Sequence, residues 1–227
     1  MRKLLLGSFV VLILTVSLPA ASKTHAVILG KAFTVKFFLG PNEAKSQDIK
    51  IRALTIDGKI KEFTTGEPHD VTEQLFAIQR AYRVNDSLPT DEKPLPKWKW
   101  QRGGWVLVDR SSGRVTQLKL PEFDPYYSAA SWYRDYVAYC GVSDGGEKLY
   151  AIVAQLGTRK PVVKSSLGGT NGGDMPDSEC ASPEWQRQPT RVTFLPKNGK
   201  QQVTFEVRGR AADLAAEPAP KEEEPNE

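Results

Sequence analysis

The chain has 227 residues, of which 40% are hydrophobic and 26% are charged, and its formal net charge is +4. These proportions match an average globular protein and exclude a collagen, a coiled coil, a fully disordered chain and a polytopic membrane protein. The two cysteines are too few for a disulfide-dense small scaffold, and they do not make a zinc site by themselves.

The N-terminal residues have the layout of a secretory signal peptide. Arg2 and Lys3 precede an uncharged stretch rich in Leu and Val, residues 4–18, and small residues follow at 19–22. The apolar stretch is shorter than a membrane-spanning helix. We therefore expect 1–22 to be cleaved, leaving a periplasmic or extracellular protein without a membrane span. Without Arg2 and Lys3 the formal charge is +2, so we expect no nucleic-acid partner.

Export also bears on the cysteines. Cys140 and Cys180 are the two cysteines of the chain, and an even pair in an oxidising compartment predicts a disulfide. A bond between them would close a loop of 40 residues. In the chain-entropy model, closing such a loop stabilises the folded state by about 4 kcal/mol.

Most of the mature chain alternates between apolar and polar residues, the period of a β-strand with one buried face. We expect strands over residues 32–38, 48–56, 59–63, 74–84, 104–109, 114–120, 135–140, 148–154, 161–164, 191–195 and 201–207. Asp57-Gly58 predicts a tight hairpin turn.

Segments rich in proline or glycine predict loops at 85–97 and 165–183. His69 is expected as a solvated residue in a turn, and residues 210–216 as a short helical turn. The acidic Pro/Glu-rich tail, 210–227, has few apolar residues to bury and is expected to be disordered.

Short strands with frequent turn signals predict an all-β fold, with 23–209 as a single β-rich domain. An antiparallel sandwich or a twisted sheet assembly is the preferred architecture.

A short pattern recurs and supplies an alternative. Trp100-Gln-Arg102, Trp132-Tyr-Arg134 and Trp185-Gln-Arg187 each precede an alternating strand and a glycine-containing turn. Residues 131–150 resemble a blade of a TolB-type β-propeller, with an aromatic turn, a strand, an acidic glycine turn and a Leu-Tyr strand. The resemblance implies a partial or small β-propeller, although the copies are 32 and 53 residues apart and propeller blades repeat evenly.

Most catalytic motifs are excluded by what surrounds them. Residues 141–145 match G-x-S-x-G, but a strand follows Ser143 where a nucleophile elbow needs a helix, and no histidine follows it in the sequence. Two histidines in all are too few for the usual His-ligated catalytic zinc. We expect no cofactor.

Aromatic residues supply the candidate binding site. In Lys97-Trp98-Lys99-Trp100 the alternation places both tryptophans on one face of a strand. The proposed ligand-binding residues are Trp98, Trp100, Tyr126, Tyr127, Trp132 and Tyr133. We expect a surface that combines the segment 98–139 with the loop 168–179, and the alternative is that these rings pack a core.

The same loop is a weak candidate for calcium. Its oxygen-bearing side chains are Asn171, Asp174, Asp177 and Glu179. Their spacing does not match an EF-hand or an RTX repeat, so a solvated loop without metal is preferred.

The functional hypothesis is an exported, non-enzymatic binding or scaffolding protein of the cell envelope, with a glycan, a peptide or an envelope protein as partner. The alternative is a carboxylate-based hydrolase acting on envelope polysaccharide. Glu122, Asp124 and Asp135 surround an aromatic run, and paired acids beside aromatic residues are typical of glycosidases.

Overall fold

The computed structural model describes residues 24–39, 45–87, 97–169, 180–196 and 201–214. In these ranges the regular elements are β-strands, which confirms the all-β prediction. In chain order the strands are β1 (Val27–Leu29), β2 (Phe33–Leu39), β3 (Lys45–Ile56), β4 (Lys59–Asp70), β5 (Leu75–Asn85), β6 (Trp98–Asp109), β7 (Arg114–Gln117), β8 (Ser131–Tyr133), β9 (Tyr136–Val142), β10 (Lys148–Gln155), β11 (Val163–Gly169), β12 (Glu184–Gln186), β13 (Arg191–Phe194), β14 (Val203–Arg208) and β15 (Ala211–Leu214). This part of the chain has no helix of the length and hydropathy needed to cross a bilayer.

Strands β1 to β7 form one sheet, which we call the closed sheet. Its order is β1-β3-β2-β6-β5-β4, with β7 beside β6. Because β3 also pairs with β4, the pairings of β2 to β6 run around a complete circuit. The circuit closes where β2 and β6 run parallel, with Phe37 opposite Trp100. The other pairings of the closed sheet are antiparallel.

Local sequence accounts for the hairpins of this sheet. Asp57 and Gly58 join β3 to β4 with φ angles of 51° and 75°, the left-handed conformation that a tight Asp-Gly hairpin requires. The Asp-Gly turn is therefore confirmed. The stretch 74–84 is confirmed as a strand from residue 75 onward, since this part lies within β5 and pairs with both β4 and β6.

The inner face of the closed sheet carries aromatic rings from strands that are not neighbours. The ring centroids of Phe63 on β4 and Trp100 on β6 lie 5.2 Å apart, although β5 separates the two strands. Phe33 on β2 lies 6.4 Å from Phe63 across β3. Phe37 and Ile51 are fully buried in the same cluster. A small apolar core therefore fills the inside of the circuit.

A β-bulge in β6 alters which side chains face inward. Gln79 pairs with Trp105 and Ala81 pairs with Arg102, so β6 has one more residue than β5 over this stretch. The extra residue falls at the glycine pair 103–104, where the lack of side chains favours the irregularity. Arg102 and Trp105 consequently share the inner face, although regular alternation would place them on opposite faces.

The remaining strands form two four-stranded antiparallel sheets, β8 to β11 and β12 to β15, each with its strands in consecutive order. We call them the first and second antiparallel sheets. Residues of β9, β10 and β11 pack against residues of β13 and β14 in one apolar core. Together with the mixed closed sheet, they make a twisted sheet assembly, as predicted.

The predicted disulfide is confirmed and lies inside that core. Cys140 and Cys180 are each 1% exposed, and their Cα atoms are 6.1 Å apart. Cys140 is on β9, whereas Cys180 forms an isolated β-bridge with Pro196, just after β13. The bond therefore ties the first antiparallel sheet to the chain that enters the second.

The recurring tryptophan pattern occupies two kinds of position. Trp132 and Trp185 lie on β8 and β12, the first strands of the two antiparallel sheets. Trp100 lies inside the long strand β6 of the closed sheet instead. All three tryptophans are within strands rather than in turns before them, because neighbouring strands supply backbone partners at each position. The propeller resemblance stays a prediction.

Three local predictions are wrong, each because a neighbouring strand supplies backbone hydrogen-bond partners. Residues 211–214, expected in a helical turn, form β15 and pair with β14. The strand β11 continues to Gly169, into the expected loop, because it pairs with β10 as far as Lys148. His69 is within β4, where it pairs with Ala77 of β5.

Several predictions fall outside the described residues. They are the signal peptide (1–22), most of the loop 85–97, the calcium candidates Asn171, Asp174, Asp177 and Glu179, and the tail beyond Leu214.

The disulfide gives a direct prediction for stability. Replacing both cysteines with alanine, Cys140→Ala with Cys180→Ala, should lower the free energy of unfolding by about 4 kcal/mol, since the unfolded chain regains the entropy of a long loop. Urea unfolding of wild-type and variant protein measures this difference. Adding a reductant should destabilise the wild-type protein and leave the variant unchanged. An equal response of both proteins to reductant would contradict a closed bridge.

Buried tyrosines predict a loss of stability at alkaline pH. Tyr139 is fully buried, and its hydroxyl donates a hydrogen bond to the Pro121 carbonyl at 2.8 Å. Burial, and secondarily the charge of Glu122, raises the pKa of Tyr139. Burial also raises the pKa values of Tyr126 and Tyr136. A phenol with a raised pKa stays protonated in the folded protein after the unfolded chain has ionised.

Stability should therefore be complete below about pH 10, the ordinary tyrosine pKa. Above it we expect Tyr139 to cost about 1.4 kcal/mol of stability per pH unit, until the pH reaches its raised pKa. The variant Tyr139→Phe should be less stable at neutral pH, because the Pro121 carbonyl loses its donor. It should lose less further stability between about pH 8 and about pH 11 than the wild type does. Urea midpoints at both pH values test this, and identical alkaline losses in the two proteins would refute it.

Candidate functional site

An exposed aromatic surface lies at one end of the inner face of the closed sheet. We call it the aromatic ledge; it comprises Phe33, Phe63, Arg83, Trp98 and Trp100. Trp98 is 56% exposed and Phe33 is 44% exposed, whereas Phe63 and Trp100 are half-buried. Phe33 packs edge-on against Trp100 with ring centroids 6.3 Å apart. The ledge is therefore the solvent-exposed end of the apolar core inside the circuit.

Arg83 is the charged member of the ledge. Its guanidinium carbon lies 5.3 Å from the ring centroid of Trp98 and 5.5 Å from that of Trp100. Both rings therefore share one face, as the alternation of the sequence predicts. Arg83 has no carboxylate partner among the described residues, whereas Lys99, which points to the other face, is paired with Asp86. Stacking on aromatic rings leaves the N–H groups at the edge of a guanidinium free to donate.

The other predicted binding residues lie elsewhere and serve mainly as packing groups. Tyr126 stacks on Phe37 with ring centroids 5.9 Å apart, and it covers the inner core of the closed sheet. The ring centroid of Tyr127 lies 6.4 Å from that of Tyr126. Tyr133 packs against Trp185, 5.5 Å away, at the contact of β8 with β12. The six predicted residues therefore do not form one site. Two of them, Trp98 and Trp100, belong to the ledge.

A cleft of about 500 Å³ opens between the closed sheet and the segment 128–132. Its walls are made by β4, β5 and β6 on one side and by the segment 128–132, which enters β8, on the other. The residues that line it include Thr65, Glu67, His69, Arg102, Trp105 and Trp132. The bulge in β6 is what brings both Arg102 and Trp105 to this cleft.

Trp132 forms the contact between the closed sheet and the first antiparallel sheet. Its ring stacks on the ring of His69, with the two centroids 5.4 Å apart. The ring of Trp105 is tilted by 60° to it, with the centroids 5.2 Å apart. The His69 Nε2 atom is 2.7 Å from the carbonyl oxygen of Arg134. The expectation of a solvated His69 in a turn is therefore wrong, because the aromatic stack and this contact leave the ring half-buried.

The three acids of the alternative hypothesis are engaged in local structure. Glu122 Oε1 accepts a hydrogen bond from Lys164 Nζ at 2.5 Å, and this bond raises the pKa of Lys164. Asp124 Oδ1 accepts one from the backbone N–H of Tyr126 at 2.8 Å, which shapes the turn. Asp135 Oδ2 accepts one from the side-chain amide of Gln155 at 2.8 Å.

None of these three acids is among the described residues that line the cleft. Of their carboxylate oxygens, the buried Oε2 of Glu122 has no hydrogen-bond partner among the described residues. Within the described ranges no group of three or more His, Cys, Asp or Glu side chains is placed to hold a metal ion.

Arg83, Arg102, Trp105 and His69 were not among the predicted ligand-binding residues, although Arg102 and Trp105 lie within the predicted segment 98–139. Arg102 continues the alternation from Trp98 and Trp100, so that spacing could have found it. Trp105 required recognising the glycine pair as a bulge. Arg83 and His69 join their aromatic partners only through strand register and sheet packing, for which the sequence has no short-range signal.

Comparison with known proteins does not narrow the function: no protein-family model, curated protein or solved structure matches this chain. The candidate sites therefore rest on their own geometry.

Tryptophan fluorescence tests the exposure of the ledge. Trp98 should account for much of the emission that acrylamide quenches, because it is 56% exposed. The variant Trp98→Phe should lose that accessible component, whereas the control Trp105→Phe should keep it, since Trp105 is 8% exposed. Both residues lie on β6, so the pair is matched. Unchanged quenching in Trp98→Phe would mean that no exposed ledge exists.

Proposed function

We propose that the protein is an exported, non-enzymatic binding protein of the cell envelope whose aromatic ledge binds an acidic glycan. The observation that carries this proposal is the stacking of Arg83 on exposed Trp98 and half-buried Trp100, without a carboxylate partner among the described residues. The ledge thus combines an apolar platform with a cation that no described carboxylate neutralises.

Each part of the ledge matches a part of such a ligand. Exposed aromatic rings such as Trp98 and Phe33 contact the apolar C–H faces of sugar rings, and their burial by a ligand is favourable. A guanidinium binds the two oxygens of a carboxylate in parallel, which suits the uronate groups of acidic polysaccharides. Neutral glycans would use the rings alone and should bind more weakly.

Two further features support export and binding rather than catalysis. A buried disulfide between two sheets suits an oxidising compartment outside the cytosol. A glycosidase places two carboxyl groups on either side of the scissile bond, and Glu122, Asp124 and Asp135 are instead bonded to Lys164, a backbone amide and Gln155.

Binding of polygalacturonate, with dextran as the neutral polymer, tests the proposal. The variant Arg83→Gln should bind polygalacturonate about tenfold more weakly, since a charge-assisted hydrogen bond contributes about 1.5–3 kcal/mol. Trp98→Ala should weaken it as well, through loss of apolar contact. The matched control is Arg114→Gln, which removes an exposed arginine from β7 and should change binding by less than about twofold.

Added salt should weaken polygalacturonate binding in the wild-type protein and have less effect in Arg83→Gln. Equal binding by all three variants would remove the ledge as the site. Release of reducing ends during incubation, abolished by Glu122→Gln, Asp124→Asn or Asp135→Asn, would favour the hydrolase alternative.

A further inference from the structure

Two tryptophans that line the cleft between the closed sheet and segment 128–132 carry buried hydrogen-bond donors without acceptors among the described residues. The indole Nε1 atoms of Trp105 and Trp132 are buried and have no hydrogen-bond partner. Trp105 as a residue is only 8% exposed. An indole N–H can donate and cannot accept, and buried donors in folded proteins nearly always have a partner. Two such residues beside one cleft point to an acceptor that the described residues do not provide.

Arg102 adds a positive charge to the same cleft. Its guanidinium carbon lies 4.9 Å from the ring centroid of Phe37, and it has no hydrogen bond or ion pair with the described residues. Burial lowers the pKa of Arg102, but an arginine stays protonated at neutral pH. A partly buried charge of this kind is unfavourable unless an anion accompanies it.

The polar side chains around the cleft have other partners and do not accept hydrogen bonds from these donors. The hydroxyl groups of Thr65 and Ser128 donate to the backbone carbonyls of Lys50 and Cys140. The Gln79 amide donates to the Gly103 carbonyl at 3.1 Å. Glu67 is the one acid among the described residues lining the cleft. Its largely exposed carboxylate is paired with Arg52.

We propose that this cleft binds a small carboxylate ligand, whose oxygens accept hydrogen bonds from the Arg102 guanidinium and from the indole N–H groups of Trp105 and Trp132. A volume of about 500 Å³ accommodates a free organic acid or one acidic sugar unit. Both indole nitrogens are shielded from solvent, so the proposed binding requires side-chain movement that uncovers the two N–H groups. The site is separate from the aromatic ledge and does not depend on the proposed function.

The indole signals in a proton–nitrogen NMR spectrum report this binding directly. Trp105→Phe and Trp132→Phe keep an aromatic ring and remove one N–H each, which assigns the two signals. Acetate and D-glucuronate should shift both signals in a saturable way, while D-glucose should not. Acetate is too small to span the ledge, so its effect separates this site from the ledge. If glucuronate binds more tightly than acetate, the ligand is an acidic sugar. If the two bind equally, the ligand is a small free acid.

Substitution of the arginine tests the charge. Arg102→Gln should weaken acetate binding at least about tenfold, and Arg102→Lys should weaken it less, because it keeps the charge and loses the planar fork. Arg114→Gln serves as the exposed control and should bind as the wild type does. If Arg102→Gln does not fold, as judged by loss of indole signal dispersion, the comparison of Arg102→Lys with wild type decides.

Two results would overturn the proposal. The first is that neither indole signal moves with acetate or glucuronate, which would leave the two donors as unpaired groups of the core. The second is that inorganic phosphate shifts both signals while carboxylates do not, which would replace the carboxylate with a different anion.

Discussion

Closure of the sheet through the parallel contact of β2 with β6 is the constraint on which both candidate sites depend. It places Phe37 opposite Trp100 and turns one face of β2 to β6 toward a common interior. A circuit of five strands encloses little space, and Phe37 and Ile51 already fill its centre. Bulky inward side chains toward the ends therefore become the ledge around Trp98 and the cleft around Arg102.

A second requirement is that the closed sheet be joined to the rest of the molecule. Trp132 makes that junction, because it reaches from β8 to His69 on β4 and Trp105 on β6. Behind it, the first antiparallel sheet packs on the second around the Cys140–Cys180 bond. The cleft lies at the junction, where irregular packing leaves polar groups such as the Trp132 indole N–H without partners. Such junctions are common positions for ligand sites.

The success of sequence reasoning depended on how local each signal is. The Asp57-Gly58 turn and the alternation within β5 are encoded in adjacent residues, and both are confirmed. The disulfide followed from a count of two cysteines and the expected compartment, and it is confirmed as well. The predictions for His69 and for residues 211–214 were wrong, because the conformations of these residues depend on pairing with other strands. Backbone pairing of this kind overrides local turn and helix signals.

The candidate sites also combine features that local sequence predicts with features that depend on strand pairing. Alternation alone placed Trp98 and Trp100 on one face, but it would have placed Trp105 on the face opposite Arg102. One extra residue at a glycine pair reverses that orientation and thereby builds the cleft. The position of Arg83 over two tryptophans needs the register between β5 and β6, which no window of the sequence contains.

The arginines of the closed sheet differ in a way that stability alone does not explain. Arg52, Arg80 and Arg110 lie beside carboxylates of the same sheet, which compensate their charge. Arg83 and Arg102 lie on the inner face of the sheet, stack on aromatic rings and have no carboxylate partner among the described residues. An apolar side chain at the half-buried position of Arg102 would avoid the cost of desolvating a charge. The carboxylate proposed for the cleft would supply the anion that the described residues do not offer to Arg102.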